Sequence, residues 1–234
     1  MNRYSKQTRL LVAIDCIIFG FDGTEMKILL VQRGMEPEKG KWSLMGGFVQ
    51  PDESLENAAK RILNELTGLS KIYLEQLYTF GVPERDPIER TLSVTYFSLL
   101  DLAKYKVQLS NEFHAEWFPL KKFPHLIFDH NEMVQAARNM LKYKASLHPV
   151  LFELLPEKFT IPQLQSLFED VYQASFDKRN FNRKIISTGL LLKQKEKDKI
   201  NSKKGAFFYK LDKKNYRDNF HAILRFIPNP NDLL

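Results

Sequence analysis

The chain has 234 residues, 44% of them hydrophobic and 12% aromatic, which predicts globular folding with enough material for two domains. Its single cysteine, Cys16, excludes an internal disulfide framework and a cluster of thiolate ligands. The formal net charge is +7. No apolar run of about 18 residues and no signal-peptide pattern is present, so a cytoplasmic protein is predicted.

Two apolar segments near the N-terminus predict β-strands. They are residues 10–21 (LLVAIDCIIFGF) and residues 25–34 (EMKILLVQRG), with a tight turn predicted at Asp22-Gly23 between them. Cys16 lies inside the first apolar pattern, and we expect it to be a buried core residue.

The next segment, residues 47–69 (GFVQPDESLENAAKRILNELTGL), predicts a helix placed between two turns. Asp52 or Ser54 is suited to cap its N-terminus, and Gly68 is suited to the left-handed position that follows its last turn. Arg61 and Glu65 are four residues apart and are expected to pair on the helix surface.

This segment resembles the Nudix box, whose family pattern is G-x5-E-x7-R-E-U-x-E-E-x-G-U, with U an aliphatic residue. The matching positions are Gly47, Glu53, Arg61, Leu63, Glu65, Gly68 and Leu69. Trp42 and Gly46 fit the usual approach to the box, whereas Met45 replaces a common proline. The resemblance covers about residues 8–145 and implies a mixed α/β fold, the Nudix-type α/β/α sandwich.

Two departures from the pattern bear on chemistry: Ile62 replaces the glutamate after Arg61, and Leu66 replaces the second glutamate of the pair. Nudix hydrolases cleave nucleoside diphosphate linkages with Mg²⁺ or Mn²⁺, which need several carboxylate oxygens. Positions 62 and 66 are one helical turn apart, so Glu65 is the one inner carboxylate left, with Glu53 more distant. We therefore predict no catalytic residue, no metal and no cofactor. The helix positions expected in the core instead are Leu55, Ala59, Ile62 and Leu66.

Two further strands are predicted downstream, at residues 71–82 (KIYLEQLYTFGV) and 90–100 (RTLSVTYFSLL), on either side of a charged loop at 83–90. Asp129 is expected to cap a helix that runs to about Lys144. The histidines show no metal-ligand spacing and are interpreted as structural or surface residues: His114, His125, His130, His148 and His221.

The second part of the chain carries most of the positive charge. Residues 1–149 contain 19 basic and 18 acidic residues, whereas residues 177–217 contain 14 basic and 4 acidic residues. Such asymmetry indicates a polyanionic partner for the second part. A solvated basic surface without a partner is the alternative.

The order of elements in this part predicts a winged helix-turn-helix. Residues 148–156 read as a linker into a short helix. Thr160 is expected to cap the next helix, which has Pro162 in its first turn. Asp177 is expected to cap a second helix, and Gly189 to end it. Two strands around a basic turn follow. We predict a Nudix-like effector-binding domain at 1–147, a winged helix-turn-helix domain at 148–225 and a flexible tail at 226–234.

The second helix of this unit is expected to bury Phe181 and Ile185 and to expose a basic face. Arginine reads guanine, asparagine reads adenine and lysine neutralises phosphate, so this face suits double-stranded DNA. The predicted DNA-binding residues are Lys178, Arg179, Asn182, Arg183 and Lys184, with Lys203 and Lys204 at the tip of the wing. RNA is disfavoured because the chain has no RRM-like or KH-like signature.

Both halves together resemble the Nudix-related transcriptional regulators of bacteria, to about residue 217; typical stretches are WSLMGGFVQPDES, FTIPQLQSLFE and DKRNFNRKI. The resemblance implies a homodimer on a pseudo-palindromic operator and a Nudix domain that senses a small-molecule effector. One subgroup responds to ADP-ribose and controls NAD metabolism, and another responds to sugars, notably L-arabinose. Met45, Ile62 and Leu66 favour a sugar. The alternatives are ADP-ribose, a working Nudix hydrolase, or a constitutive architectural DNA binder.

Candidate effector-binding residues follow from chemistry, because a sugar needs polar hydrogen-bonding groups and an apolar face. They are Arg33, Trp42, Glu84, Arg85, Asp86 and Arg90, which lie near predicted strand ends or in the charged loop. The alternatives are packing for Trp42, and solvation or dimer contacts for the loop charges.

Overall fold

One seven-stranded sheet organises the N-terminal part of the chain, in a computed structural model that describes residues 7–104, 114–200 and 205–218. The elements of this part are β1 (Leu11–Phe21), β2 (Met26–Gln32), β3 (Trp42–Ser43), β4 (Met45–Phe48), α1 (Leu55–Thr67), β5 (Glu75–Phe80), β6 (Thr91–Asp101), β7 (Glu116–Pro119) and α2 (His130–Leu147). Strand β1 is central: it runs parallel to β6 along its length and pairs on its other edge with β4 and then β2.

The two faces of β1 meet different helices because successive side chains of a strand point in opposite directions. Ile14, Cys16 and Ile18 belong to the core cluster under α1, whereas Ile17 and Phe19 belong to the cluster under α2. The sheet therefore lies between helices, in agreement with the predicted α/β/α sandwich. Cys16 is fully buried, as predicted.

The capping signals of α1 act as the sequence indicates. Of the two residues considered for the N-cap, Ser54 takes the role, and its hydroxyl accepts the Asn57 N–H at 3.2 Å. Gly68 adopts φ +76° after the last turn. The strand predicted at 71–82 is shorter than expected, since β5 covers only residues 75–80 and Lys71 has φ +58°.

The prediction that Asp129 caps α2 is correct for the position and wrong for the contact. Asp129 is the residue before the helix, but its side chain makes no capping hydrogen bond. Both of its oxygens accept hydrogen bonds from Arg85, at 2.8 and 2.9 Å. A bidentate arginine–carboxylate pair is stronger than a single bond to a backbone N–H, which accounts for the difference.

The C-terminal part has the predicted helix, turn, helix and hairpin. Its elements are a 3₁₀ helix (Val150–Leu154), β8 (Phe159–Thr160), α3 (Ile161–Tyr172), α4 (Lys178–Ser187), β9 (Leu191–Asp198), β10 (Ala206–Leu211) and α5 (Lys213–Asp218). Thr160 caps α3 in a reciprocal capping box with Gln163, and the Asp177 carboxylate accepts the Asn180 N–H at 2.8 Å to cap α4. Gly189, at φ +69°, ends α4.

The hydrophobic core is continuous between the two parts. One cluster of buried side chains extends from Ile17 of β1 through Val134 of α2 to Leu164 of α3 and Ile185 of α4. The winged helix is therefore packed onto the α2 side of the sheet. None of the helices within the described ranges has both the length and the apolar character needed to cross a bilayer.

Candidate functional site

The two glutamates of the box pattern that this chain retains, Glu53 and Glu65, are held by one arginine. Both Glu53 oxygens accept hydrogen bonds from Arg61, at 2.6 and 3.0 Å, and Glu65 accepts another at 3.1 Å. The hydrogen bonds from Arg61 lower the pKa of Glu53 to about 2. The predicted pairing of Arg61 with Glu65 is confirmed. The Glu53 and Glu65 carboxylates are thus both bound by the Arg61 guanidinium.

Apolar side chains occupy the two positions where the box pattern has glutamates. Ile62 is 2% exposed, and its Cδ1 would lie 3.0 Å from a Cβ added to Gly47, so glycine allows α1 to approach β4. Leu66 lines a cavity beside α1. The predicted core stripe of α1 is present. Across the part of the chain that the structure describes, no three His, Cys, Asp or Glu residues are grouped to hold a metal ion.

This cavity has a volume of about 260 Å³ and opens between β1, β2, β4, the charged loop and the start of α2. Apolar walls are formed by Val31, Leu44 and Leu66. The charged and titratable side chains that line it are Asp15, Arg33, Arg85, Asp86 and His130. It therefore combines an apolar surface with a few polar groups, as small-molecule sites generally do.

Asp15 is a buried carboxylate at the inner end of the cavity, 4% exposed. Its Oδ2 accepts a hydrogen bond from the Ser93 hydroxyl at 2.5 Å. Its Oδ1 would lie 2.5 Å from a Cβ added to Gly46, so a residue with a side chain at 46 would cover this oxygen. Glycine at this position keeps the carboxylate accessible.

His130, the first residue of α2, stands beside Asp15 and is also 4% exposed. Its Nδ1 accepts the Leu44 N–H at 3.2 Å. Burial lowers the pKa of His130, and this effect outweighs the opposing influence of Asp15 and Asp129. The ring is therefore neutral near pH 7 and carries its proton on Nε2, which lies 3.6 Å from Asp15 Oδ1.

Arg85 ties the charged loop to the start of α2. Its side chain is 3% exposed, forms the bidentate pair with Asp129 and lies 3.8 Å from Asp15 Oδ2. Removal of one member would leave an uncompensated buried charge. This ion pair therefore fixes one wall of the cavity.

The predicted effector residues fall into two groups in the structure. Arg33, Arg85 and Asp86 line the cavity. Trp42, Glu84 and Arg90 do not belong to its lining: Trp42 packs edge-on against a phenylalanine with ring centroids 4.7 Å apart, Glu84 is exposed, and Arg90 donates to carbonyls of its own loop. For all six, effector binding stays a prediction.

Sequence reasoning missed Asp15 and His130. Asp15 had a signal, because it is the one charged residue within the apolar segment LLVAIDCIIFGF. His130 had none, since nothing in the sequence places it beside residue 15. The interpretation of His130 as a structural residue agrees with its burial, but it did not predict that His130 lines the cavity.

The basic face of α4 is exposed as predicted. Phe181 and Ile185 are 3% and 1% exposed and fix which side of α4 is buried. The helix residues proposed to contact DNA are all exposed: Lys178, Arg179, Asn182, Arg183 and Lys184. None of them forms a salt bridge with another described residue. Lys203 and Lys204 lie outside the described residues.

A second basic feature lies on the wing hairpin. The Lys193 and Lys197 ammonium groups stand 3.7 and 4.5 Å from the centroid of the Phe207 ring. Both lysines belong to β9, and the pairing of β9 with β10 shifts register between them. The ring of Phe207 holds two cations, a contact that the sequence pattern did not predict.

Family comparisons agree with both parts of the fold. The model of the NUDIX domain matches residues 9–142, and the model of the NrtR DNA-binding winged helix domain matches residues 151–211. The predicted fold class, a Nudix-type sandwich followed by a winged helix, is confirmed.

Two individual relatives are similar over nearly the whole chain, and a third over its N-terminal part. The "ADPR responsive transcriptional repressor NtrR" of Acinetobacter baylyi is 33% identical over 220 residues, which are 92% of this chain and 88% of that protein. The crystal structure of Shewanella oneidensis NrtR complexed with a 27mer DNA is 32% identical, with a TM-score of 0.69, over 88% of this chain and 95% of that one. The NUDIX domain of the same Shewanella protein, complexed with ADP ribose, is 34% identical, with a TM-score of 0.52, over 60% of this chain and 94% of that one.

The buried neutral imidazole should make folding stability depend on pH. Between its lowered folded pKa and its unfolded value of 6.5, His130 binds more protons in the unfolded chain, so stability falls as pH falls. We expect the free energy of unfolding to drop by at most about 1.4 kcal/mol more in the native protein than in His130→Gln between pH 7.5 and 5.5.

Urea unfolding of both proteins at the two pH values measures this difference. Glutamine retains an acceptor for the Leu44 N–H, and the other histidines are common to both proteins. An identical pH dependence of native protein and variant would contradict a neutral buried His130.

Proposed function

The chain belongs to the Nudix family and, within it, to the transcriptional regulators with an NrtR-type winged helix, and we propose on this premise that it is a DNA-binding repressor controlled by a small effector. The observation that carries the proposal is the combination of two features on one continuous core. A cavity without a metal-binding cluster among the described residues lies at one side of the sheet, and an exposed basic helix lies in the winged domain.

ADP-ribose is the proposed effector. The similar repressor of Acinetobacter baylyi is described as responsive to ADPR, and the similar NUDIX domain of Shewanella oneidensis was crystallised with ADP ribose. The prediction of a sugar effector such as L-arabinose, made from Met45, Ile62 and Leu66, has no support among these relatives. The alternative prediction, ADP-ribose, is the better supported.

Homodimer formation on a pseudo-palindromic operator is part of the proposal. One winged helix offers a small contact surface, and a two-fold dimer doubles it while matching the symmetry of two half-sites. A regulator of chromosomal DNA in a bacterium acts in the cytoplasm, which is the proposed location.

The central test is a titration of operator DNA with and without effector. Fluorescence anisotropy on a pseudo-palindromic duplex should show that saturating ADP-ribose changes the affinity by about 5- to 150-fold, the usual range of coupling between two sites. L-arabinose and buffer are run in parallel, and light scattering gives the stoichiometry. Constant affinity with every small molecule would identify a constitutive binder, and a monomer on one half-site would exclude the dimer.

We also propose that the Nudix domain does not hydrolyse its effector at an enzymatic rate. Ile62 and Leu66 remove two carboxylates, and Arg61 occupies Glu53 and Glu65. Incubation with ADP-ribose, NADH or dinucleoside polyphosphates in Mg²⁺ or Mn²⁺ should yield no metal-dependent product. Turnover that Glu65→Gln abolishes would show a working hydrolase instead.

Base reading is proposed for the exposed face of α4. We expect Arg179→Ala, Asn182→Ala or Arg183→Ala to cost about 1–3 kcal/mol on the correct operator and much less on scrambled DNA. The wing variant Lys193→Ala is the comparison, because loss of a phosphate contact should weaken both duplexes alike and reduce the salt dependence by about one charge. The same behaviour is predicted for Lys203 and Lys204.

Competition binding on the two duplexes separates these roles. Equal losses on operator and scrambled DNA for all three α4 variants would show that another element reads the bases.

A further inference from the structure

The inner end of the cavity presents two polar atoms that face each other without bonding. Asp15 Oδ1 and His130 Nε2 are 3.6 Å apart, beyond hydrogen-bond distance, and both residues line the cavity. Asp15 comes from the centre of β1 and His130 from the start of α2. Both side chains are almost fully buried, so this spacing is set by the core and not by a surface loop.

The hydrogen-bonding roles of the two atoms are fixed by their other neighbours. Asp15 Oδ2 is occupied by the Ser93 hydroxyl, which leaves Oδ1 as the acceptor toward the cavity. His130 Nδ1 is occupied by the Leu44 N–H, which leaves Nε2–H as the donor. This pair therefore offers one charged acceptor beside one neutral donor, with the Arg85 guanidinium 3.8 Å from the other carboxylate oxygen.

This pair is unsuited to an anion and suited to hydroxyl groups. A phosphate at this point would meet the Asp15 carboxylate, whereas a hydroxyl both donates and accepts. We propose that Asp15 and His130 bind the vicinal diol of a ribose-type sugar, one hydroxyl donating to Oδ1 and its neighbour accepting from Nε2–H. The proposal rests on the proposed effector function of the same cavity and assigns the residues that recognise the sugar.

The size of the cavity and its rim indicate where the rest of an effector lies. About 260 Å³ is slightly below the roughly 300–1,000 Å³ of sites for drug-sized ligands, so we place one sugar ring in the cavity and the rest of an ADP-ribose molecule toward its rim. At the rim, Arg33 uses its Nε to donate to the carbonyls of Met35 and Pro37. Its guanidinium carbon lies 5.3 Å from the centroid of the Phe128 ring, and under the proposal this group would meet a phosphate that continues from the sugar.

The diol has two sources, a free pentose or a nucleoside diphosphate sugar, and the two make different demands on Arg33. A nucleoside diphosphate sugar uses the guanidinium as well as the diol site. A free pentose uses the diol site alone. The variant Arg33→Gln therefore separates them.

The test compares variants and ligand analogues in calorimetric titrations. Probes are ADP-ribose, two ADP-ribose analogues that each lack the 2-hydroxyl of one ribose, D-ribose and L-arabinose. Asp15→Asn should weaken ADP-ribose binding by about 10- to 100-fold, the usual effect of one hydrogen bond to a charged group. Glu89→Gln, which removes the same charge from an exposed residue of the neighbouring loop, should change it less than two-fold, within about the measurement error.

The analogues make the test specific and independent of any folding defect in the variant. One of them should bind the native protein about 10- to 100-fold more weakly than ADP-ribose, and Asp15→Asn should add little to that loss, because both changes remove the same contact. Native affinity for both analogues, or an equal effect of Asp15→Asn on every probe, would overturn the proposal.

The remaining results decide the source of the diol and keep the two proposals apart. Loss of ADP-ribose binding in Arg33→Gln with pentose binding retained indicates the nucleoside diphosphate sugar, and binding of pentoses alone indicates a free sugar. If no probe binds the native protein, the diol site does not exist. The repressor function fails on a different observation, the absence of operator binding.

Discussion

A buried carboxylate on the winged helix is hydrogen-bonded to the backbone of the sheet and so helps to join the two parts of this protein. Asp170 lies on α3 of the winged helix, 4% exposed, and its Oδ2 accepts the backbone N–H of Met26 on β2 at 2.7 Å, while Oδ1 pairs with Lys121. Nearby, the Ser166 hydroxyl donates to the Thr24 carbonyl. A buried hydrogen bond between side chain and backbone defines one relative position of its partners, because loss of the partner leaves a desolvated charge. Together with the continuous apolar core, it fixes the winged helix against the sheet.

Helix α2 connects this contact to the cavity. Its first residue, His130, is part of the cavity wall. Arg138 lies two turns further on and interacts with Asp170: burial lowers the pKa of Arg138, and the nearby Asp170 carboxylate opposes that effect. A ligand that displaces the start of α2 therefore acts on an element that touches α3. The coupling is necessarily reciprocal: if the effector changes DNA affinity, DNA changes effector affinity by the same factor.

Local signals in the sequence were sufficient for several helix ends, although not for the extent of β5 or for the contact of Asp129. Thr160, Asp177 and Gly68 act as the capping rules predict, because each role depends on residues within one turn of the helix. The buried face of α4 followed in the same way from the spacing of Phe181 and Ile185. The winged helix was predictable because the ends and the buried faces of its helices depend on residues close together in the sequence.

The cavity was not predictable in the same way. Asp15 and His130 are far apart in sequence, and their 3.6 Å separation arises only when β1, β6 and α2 are packed. The contact of Asp129 depends equally on Arg85, 44 residues earlier, which competes with the local capping role and prevails. Sequence reasoning selected Arg85 for its hydrogen-bonding chemistry and its place in the charged loop; its partner needed the structure.

The altered box keeps the packing of its helix although two of its glutamate positions are apolar. Ile62 fills the space above Gly47, and Leu66 extends the same apolar surface into the cavity wall. The remaining carboxylates, Glu53 and Glu65, are bound by Arg61, which also donates to the Phe48 carbonyl of β4. The glutamates, the arginine and the glycine of the pattern thus still hold α1 against the sheet. The box therefore keeps its packing role, whereas the carboxylate cluster that metal chemistry needs is reduced. The retained packing role explains why the pattern remains recognisable in a chain that we propose binds its ligand without cleaving it.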